Sequence, residues 1–472
     1  MSDLPLVVVD DLHEIRATVD ASPEELTPIG LREVVRGPEA LYTLPDVLAR
    51  CGVGPASRVT VLSDTTSKRY GDLDVLDVAL TALTPLSADV VNVQPDEGSE
   101  LVLATAATVA AAIEAVRERH PDALVSVGSG TLVDIGKVVA HTLSIPHVVV
   151  QTAASVNGFA DNQSVLLIDG VKRTTPSQWP TALVIDPWVV AEAPCAMTRA
   201  GLGDELSMFT AGADWYLSNA VGIDTSYSST ITSMMRVGID DLLEGAGDVG
   251  RGDQRAVNDL ASLLTVSGIA MGVAGRTAPS SGAEHLVSHL LDMDADAVAT
   301  TAASHGSQVG VSSIFASLVW QRVRDHLRVG DASFDVDQLA EKEQVLAAFS
   351  HLDPSGATAE ECWRDYERKA RWIRGHQREI AMALIQWDEH DKAIAQLLAP
   401  TDVLVSALRR AQAPITFSQL DPAPKPDVVF WAVANGHRMR ERFTVFDLAE
   451  LLGLWGEDAA AEVLSELQGL AQ

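Results

Sequence analysis

The chain has 472 residues, of which 47% are hydrophobic and 21% charged, the composition of a folded protein of two or three domains and not of a disordered or fibrous one. Its 65 acidic against 34 basic residues give a formal net charge of -31, a field that repels nucleic acid and anionic membrane surfaces and excludes them as expected partners. Any anionic ligand must therefore be held by local positive groups or helix N-termini.

Three scattered cysteines, Cys51, Cys195 and Cys362, form neither a disulfide framework nor a thiolate metal motif. The N-terminal residues lack a signal-peptide pattern, and no run of about 18 apolar residues is evident, so a cytoplasmic protein is expected.

In chain order, residues 1–55 suggest a strand at Leu6–Val9 and a loop. From Arg58, Val-Thr-Val-Leu forms a short buried strand that ends in the polar turn of Ser63, Asp64 and Thr65. Thr105–Arg119 has helical spacing, and Ala123–Val127 is again strand-like. That strand runs into Gly128-Ser129-Gly130-Thr131, followed by a helix over Leu132–Thr142 and a strand over His147–Gln151. Such β–α–β alternation predicts a parallel sheet with ligands at the carboxyl ends of its strands.

Ser164–Ile168, a turn at Asp169-Gly170 and Ala182–Ile185 suggest an antiparallel excursion. Helical periodicity dominates after residues 187–198, where the main boundary is expected. The predicted organisation is an α/β N-terminal domain over 1–190 and an all-α domain over 191–472.

The Gly128-Ser129-Gly130 turn lets a backbone approach a pyrophosphate at a helix N-terminus, although a tight connection needs the same residues. Asp134 and Lys137 share a helix face and could form a simple surface pair. His285 and His289 lie one helical turn apart, with His305 downstream and Asp204 upstream. A carboxylate with imidazoles suits zinc, iron or nickel, yet buried histidines are often structural, and spacing alone leaves both readings open.

Taken in order, Val127–Lys137, Gln151–Ala160, Ala200–Glu205, Ser281–His289, Ser304–Gly310 and Arg438–Asp447 resemble the sn-glycerol-1-phosphate dehydrogenases. This family lies in the superfamily of glycerol dehydrogenases, iron-dependent alcohol dehydrogenases and dehydroquinate synthases. The resemblance implies a dehydroquinate synthase-like fold with an N-terminal nucleotide-binding domain and a helical C-terminal domain. It also implies NAD or NADP as cofactor, one divalent metal, a small-molecule substrate and a homo-oligomer.

Residue by residue, the resemblance puts Asp204, His285 and His305 on the metal ligands, and Gly128, Ser129, Gly130 and Thr131 on the pyrophosphate turn. Asp134 and Lys137 fall on the following helix, Thr152 and Ser155 near the nicotinamide, and Asp64 near the adenine ribose. Asn157, Ser307 and Gln151 depart from the family, which commonly has Asp, Glu and Pro at these positions.

The implied activity is reduction of dihydroxyacetone phosphate to sn-glycerol-1-phosphate. His289 and Asn157 are candidates for work on the substrate, and Lys172 and Arg173 for holding its phosphate. A lyase of the dehydroquinate synthase type and a scaffold without chemistry are the competing expectations.

Overall fold

The computed structural model describes residues 7–8, 10–95, 102–168, 171–330 and 332–471. Packing divides the chain into two compact units. Met1–Gly201 and Ser233–Arg276 form one, Leu202–Thr232 and Thr277–Gln472 the other. The chain thus leaves the first unit at Gly201, returns to it for the helices Ile239–Gly250 and Gln254–Ala274, and leaves again.

The first unit is built on a seven-stranded sheet. Its order is Val7–Val8, Glu33–Arg36, Ala182–Ile185, His147–Gln151, Ala123–Gly128, Arg58–Ser63, Ser87–Asn92, and only the Val7–Val8 edge pairs antiparallel. The three central strands Ala182–Ile185, His147–Gln151 and Ala123–Gly128 are buried along their whole length. Strands that are apolar on both faces need helices on both, and the alternation of side chains supplies two cores. On one face Val59, Val61, Val125, Val127, Val148 and Val150 pack with residues of the helices Leu44–Arg50 and Val75–Ala82. On the other, Leu62 and Leu124 pack with residues of Ala106–Arg117 and Gly130–Leu143.

The antiparallel excursion differs from expectation in its second strand. Gln163–Ile168 pairs with Val171–Pro176 as a separate two-stranded ribbon, and the turn at 169–170 lies outside the described residues. Ala182–Ile185 instead enters the main sheet parallel to His147–Gln151. An all-apolar run such as Ala-Leu-Val-Ile fits a strand covered on both faces better than an exposed hairpin arm.

Gln254–Ala274 is the one described helix long and apolar enough to cross a membrane, contrary to the expectation that the chain has no such run. It is a core helix here. Its glycines admit neighbours of the same unit, since a Cβ at Gly268 would lie 2.4 Å from the Asn157 carbonyl oxygen and one at Gly272 2.1 Å from the Trp179 ring.

The second unit is helical. Its longest helix, His305–Arg328, is almost wholly buried through Leu318–Trp320, as a helix surrounded by other helices must be. Phe315 on this helix meets the rings of Phe417, Phe446 and Trp455.

Candidate functional site

Two groups of candidate residues are assembled, one in each unit. In the first unit three neighbouring parallel strands end side by side. Arg58–Ser63 leads to Asp64, Ala123–Gly128 to the glycine turn, and His147–Gln151 to Thr152. The Thr152 amide donates to the Gly128 carbonyl across 3.2 Å, so the glycine turn and the following loop form one edge. The carboxyl edge of a parallel sheet is where dinucleotides bind in folds of this kind.

The glycines are required by packing. A Cβ on Gly128 would lie 2.4 Å from Leu132 Cδ1, and one on Gly130 2.8 Å from Val156 Cγ2. Gly136, two turns along the helix, lies against the sheet, where a Cβ would be 2.1 Å from Ser126 Oγ. Ser129 stands at the N-cap position without a side-chain capping bond, Gly130 and Thr131 open the first turn, and all three are partly exposed. The turn therefore presents helix N-terminal amides toward solvent, which suits an anion.

The loop after His147–Gln151 is held from several sides. A Cβ on Gly201 would lie 2.0 Å from the Ala154 carbonyl oxygen, so helix Cys195–Leu206 abuts the loop there. Gly268 abuts it at Asn157, as described above. Lys137 is fully buried, not on a surface. Its Nζ lies 2.6 Å from Asp161 and 3.1 Å from Asp134, and it donates to the carbonyls of Gly158 and Gln163. Burial opposes its charge, but Asp161 and Asp134 outweigh that and raise its pKa. The ammonium thus ties the loop to the helix that follows the glycine turn.

Thr152, Ser155 and Asn157 are buried in this loop. Asp64 bonds Lys68 Nζ at 2.6 Å and accepts from the Thr66 amide. Lys172 and Arg173 lie on Val171–Pro176, opposite Leu167 and Leu166, and are half-buried ribbon residues. Gln151 donates its side-chain amide to the Ala153 carbonyl at 3.0 Å.

In the second unit Asp204, His285 and His305 converge. One potential ligand atom from each lies within 4.8 Å of the others. His285 Nε2 is 3.6 Å and His305 Nε2 3.9 Å from Asp204 Oδ1. These residues lie on three helices, Cys195–Leu206, Ala283–Ala297 and His305–Arg328. The close approach that unites them is built from glycine. A Cβ on Gly203 would lie 2.2 Å from the Gly306 carbonyl oxygen, and one on Gly310 2.9 Å from Gly203 Cα. Neighbours of the two ligands, absent a side chain, let the first and third helices touch backbone to backbone.

His285 Nδ1 lies 3.0 Å from Glu284 Oε1, and His305 Nδ1 3.0 Å from Ser288 Oγ. Burial disfavours a charged His285, but the carboxylates of Asp204 and Glu284 outweigh it and raise its pKa. The surroundings are therefore electronegative, as a cation site requires. His289 is buried near both imidazoles, its ring 6.0 Å from that of His285 and stacked 5.8 Å from that of His305. Ser307 is outside the cluster and pairs with the Ser304 hydroxyl at 2.8 Å.

The donor set fits a divalent metal: a carboxylate oxygen and two imidazole nitrogens face one another, and each imidazole's distal nitrogen has its own partner. Such partners are what the sequence reading missed. Glu284 was adjacent to a candidate ligand and legible as a charged neighbour, whereas Ser288 and Gln308 carry no signal without the fold.

Comparison with known proteins identifies the family. Residues 35–194 match the family model described as iron-containing alcohol dehydrogenase. The chain is 31% identical over 280 residues to a glycerol-1-phosphate dehydrogenase (NAD(P)+) of Halorubrum lacusprofundi, covering 57% of this chain and 79% of that protein. The chain belongs to the glycerol-1-phosphate dehydrogenase family, NAD(P)-dependent and metal-using oxidoreductases.

A second relative, the glycerol-1-phosphate dehydrogenase (NAD(P)+) of Methanosarcina mazei, is 30% identical over 227 residues. That match spans 47% of this chain and only 62% of the relative. Among solved structures, a probable glycerol dehydrogenase from Sinorhizobium meliloti 1021 superposes with a TM-score of 0.59 at 16% identity, covering 93% of this chain and 98% of that one. Glycerol dehydrogenase from Schizosaccharomyces pombe gives 0.58 at 14% identity, with 93% and 89% covered. These two likenesses establish the fold, an α/β sheet unit with a helical unit.

Proposed function

We propose that the chain reduces dihydroxyacetone phosphate to sn-glycerol-1-phosphate with NADH or NADPH, using one divalent metal held by Asp204, His285 and His305. The observation that carries this reading is the convergence of those three side chains to within 4.8 Å, with distal histidine nitrogens anchored. A divalent ion there would supply Lewis acidity at a carbonyl, and the dihydronicotinamide would supply the hydride.

The chain's own residues have separable tasks in this scheme. Gly128, Ser129, Gly130 and Thr131 offer backbone amides to the pyrophosphate, and Asp64 stands at the neighbouring strand end for the adenine ribose. Thr152 and Ser155 line the nicotinamide side of the same edge, while Lys137 and Asp134 hold that edge together from within. His289, one turn from His285 and stacked on His305, would contact the substrate or pass a proton. Asn157 is uncharged where the family commonly has Asp, so it orients by hydrogen bonding and cannot serve as a carboxylate base. Lys172 and Arg173 would attract phosphate in a chain whose overall field opposes it.

The test is a panel of ketones, with and without phosphate, on metal-loaded protein, followed by oxidation of NADH and NADPH. Turnover of dihydroxyacetone phosphate well above dihydroxyacetone is expected. Equal rates on both would overturn the phosphate assignment, and product formation without net cofactor oxidation would favour a lyase of the dehydroquinate synthase type.

A further inference from the structure

We infer that Glu284, and independently the pair Ser288 and Gln308, are positioning residues that fix the two candidate ligand histidines in the one tautomer that can bind metal. The inference rests on the metal-site reading above. A neutral imidazole carries its proton on one nitrogen and coordinates through the other, so which nitrogen is bare decides whether a site exists before any ion arrives.

At His285 the decision is made by a carboxylate. Glu284 Oε1 lies 3.0 Å from Nδ1 and also accepts the Gly282 amide at 2.5 Å, while Oε2 accepts the Thr210 hydroxyl at 2.7 Å. Two donors already aimed at this carboxylate suit its acceptor-only form, and in that arrangement the third bond is one that Nδ1 donates. With Nδ1 held as the donor to Glu284, Nε2, which faces Asp204 at 3.6 Å, is the nitrogen left to give up its proton to a metal.

At His305 the same result is reached through neutral groups. Gln308 Nε2 donates to Asp292 Oδ1 at 2.9 Å and to the Ala303 carbonyl at 2.9 Å, which fixes the amide with its oxygen toward Ser288. The single hydroxyl proton of Ser288 goes to Gln308 Oε1 at 2.9 Å. Ser288 Oγ can therefore only accept from His305, so Nδ1 carries the proton and Nε2 is bare. The second oxygen of Asp292 stands 4.0 Å from that Nδ1, beyond hydrogen-bond reach.

Two unrelated supports thus impose the same tautomer. They differ in strength, because an anion behind an imidazole raises its basicity and a neutral hydroxyl does not. Loss of Glu284 is therefore the more damaging of the two for metal affinity.

The test uses the full-length protein. In metal-free protein with 15N-labelled histidine, NMR should show His285 and His305 protonated at Nδ1. In competition with a chelator for Zn2+, Glu284→Gln should lower affinity by roughly 10–100-fold, Ser288→Ala by less, and Ser288→Thr, which keeps the hydroxyl, should restore it. A role in folding alone would lower the melting temperature of the metal-free protein and leave the zinc affinity of the folded fraction unchanged. Either histidine protonated at Nε2 with Nδ1 bare, or unaltered zinc affinity in folded Glu284→Gln, overturns the inference. The tautomer measurement needs no variant, so a misfolded Glu284→Gln would not block it. Should Asp204→Ala and His285→Ala also retain zinc, the metal-site reading itself fails; should they lose it while Glu284→Gln does not, only this inference does.

Discussion

The two candidate regions are built on opposite principles. The dinucleotide edge in the first unit is a local construction, with a strand, a glycine turn and a helix contiguous over Ala123–Leu143, joined by the next strand's loop only a few residues on. The Asp–His–His cluster in the second unit is a long-range one. Its members are 81 and 20 residues apart along the chain, counted from 204 to 285 and from 285 to 305, and they meet because helices approach at Gly203, Gly306 and Gly310. Local backbone makes an anion cradle wherever a helix starts, since the amides are there already. A metal needs side chains aimed from several directions, which only packing can supply.

The largest expected effect breaks the second region outright. The triple variant Asp204→Ala, His285→Ala, His305→Ala should lose stoichiometric metal by elemental analysis while dinucleotide binding persists. Metal retained at one equivalent per chain would move the site elsewhere.

Gly130→Val attacks the first region instead. Its Cβ would already meet Val156, and the branched side chain would project over the turn, so cofactor affinity should fall by roughly a hundredfold, about 2.7 kcal/mol. Calorimetric titration with NADH on folded variant decides it, and unchanged affinity would remove the pyrophosphate assignment.

Gly203→Ala should sharpen the contrast by damaging the metal cluster without touching a ligand. Forcing apart two helices whose backbones now meet costs about 1–3 kcal/mol, visible in the denaturation midpoint, and should also weaken metal binding. A variant of native stability and metal content would show that the helix contact does not set the cluster.

A pH effect belongs to the first region. Burial, with the Lys137 charge adding to it, pulls His147 down to about 3 from an ordinary 6.5. Between those values the unfolded chain binds the extra proton, so stability rises with pH across the window, is fully present above 6.5 and is lost as pH falls toward 3. His147→Gln should flatten the fall by up to about 1.4 kcal/mol per pH unit, measured by urea denaturation at a series of pH values. An unaltered slope would show that His147 is protonated in the folded protein.

The smallest effect is expected at the ribbon. Neutralising Lys172 and Arg173 together should raise KM for the phosphorylated ketone about fivefold, roughly 1 kcal/mol, and leave the KM of the cofactor nearly unchanged. A parallel rise in both would mean that the pair serves the general field and not a substrate phosphate.

Much of the first unit was legible because its signals are local. Apolar runs bounded by polar turns gave His147–Gln151 and Ala182–Ile185 with their observed ends, and the motif order pointed to the family. Pairing was less legible: Ala182–Ile185 joins the main sheet, since a strand carries no mark of its partner beyond being apolar on both faces. Lys137 and Asp134 read as a surface pair because Asp161, the third member, comes from a loop 24 residues away.

The sequence by itself determined the composition, the alternation of strand and helix, the glycine turn and the identity of the candidate ligands, because each is written in residues close together or in a family's ordered motifs. Only the tertiary structure decided that Ser233–Arg276 packs with the sheet unit, that Lys137 is buried, and that Gly203 meets Gly306 so that Asp204 reaches two histidines. It also decided what stands against the distal nitrogen of each histidine, because Glu284, Ser288 and Gln308 are brought there by packing that no local pattern announces.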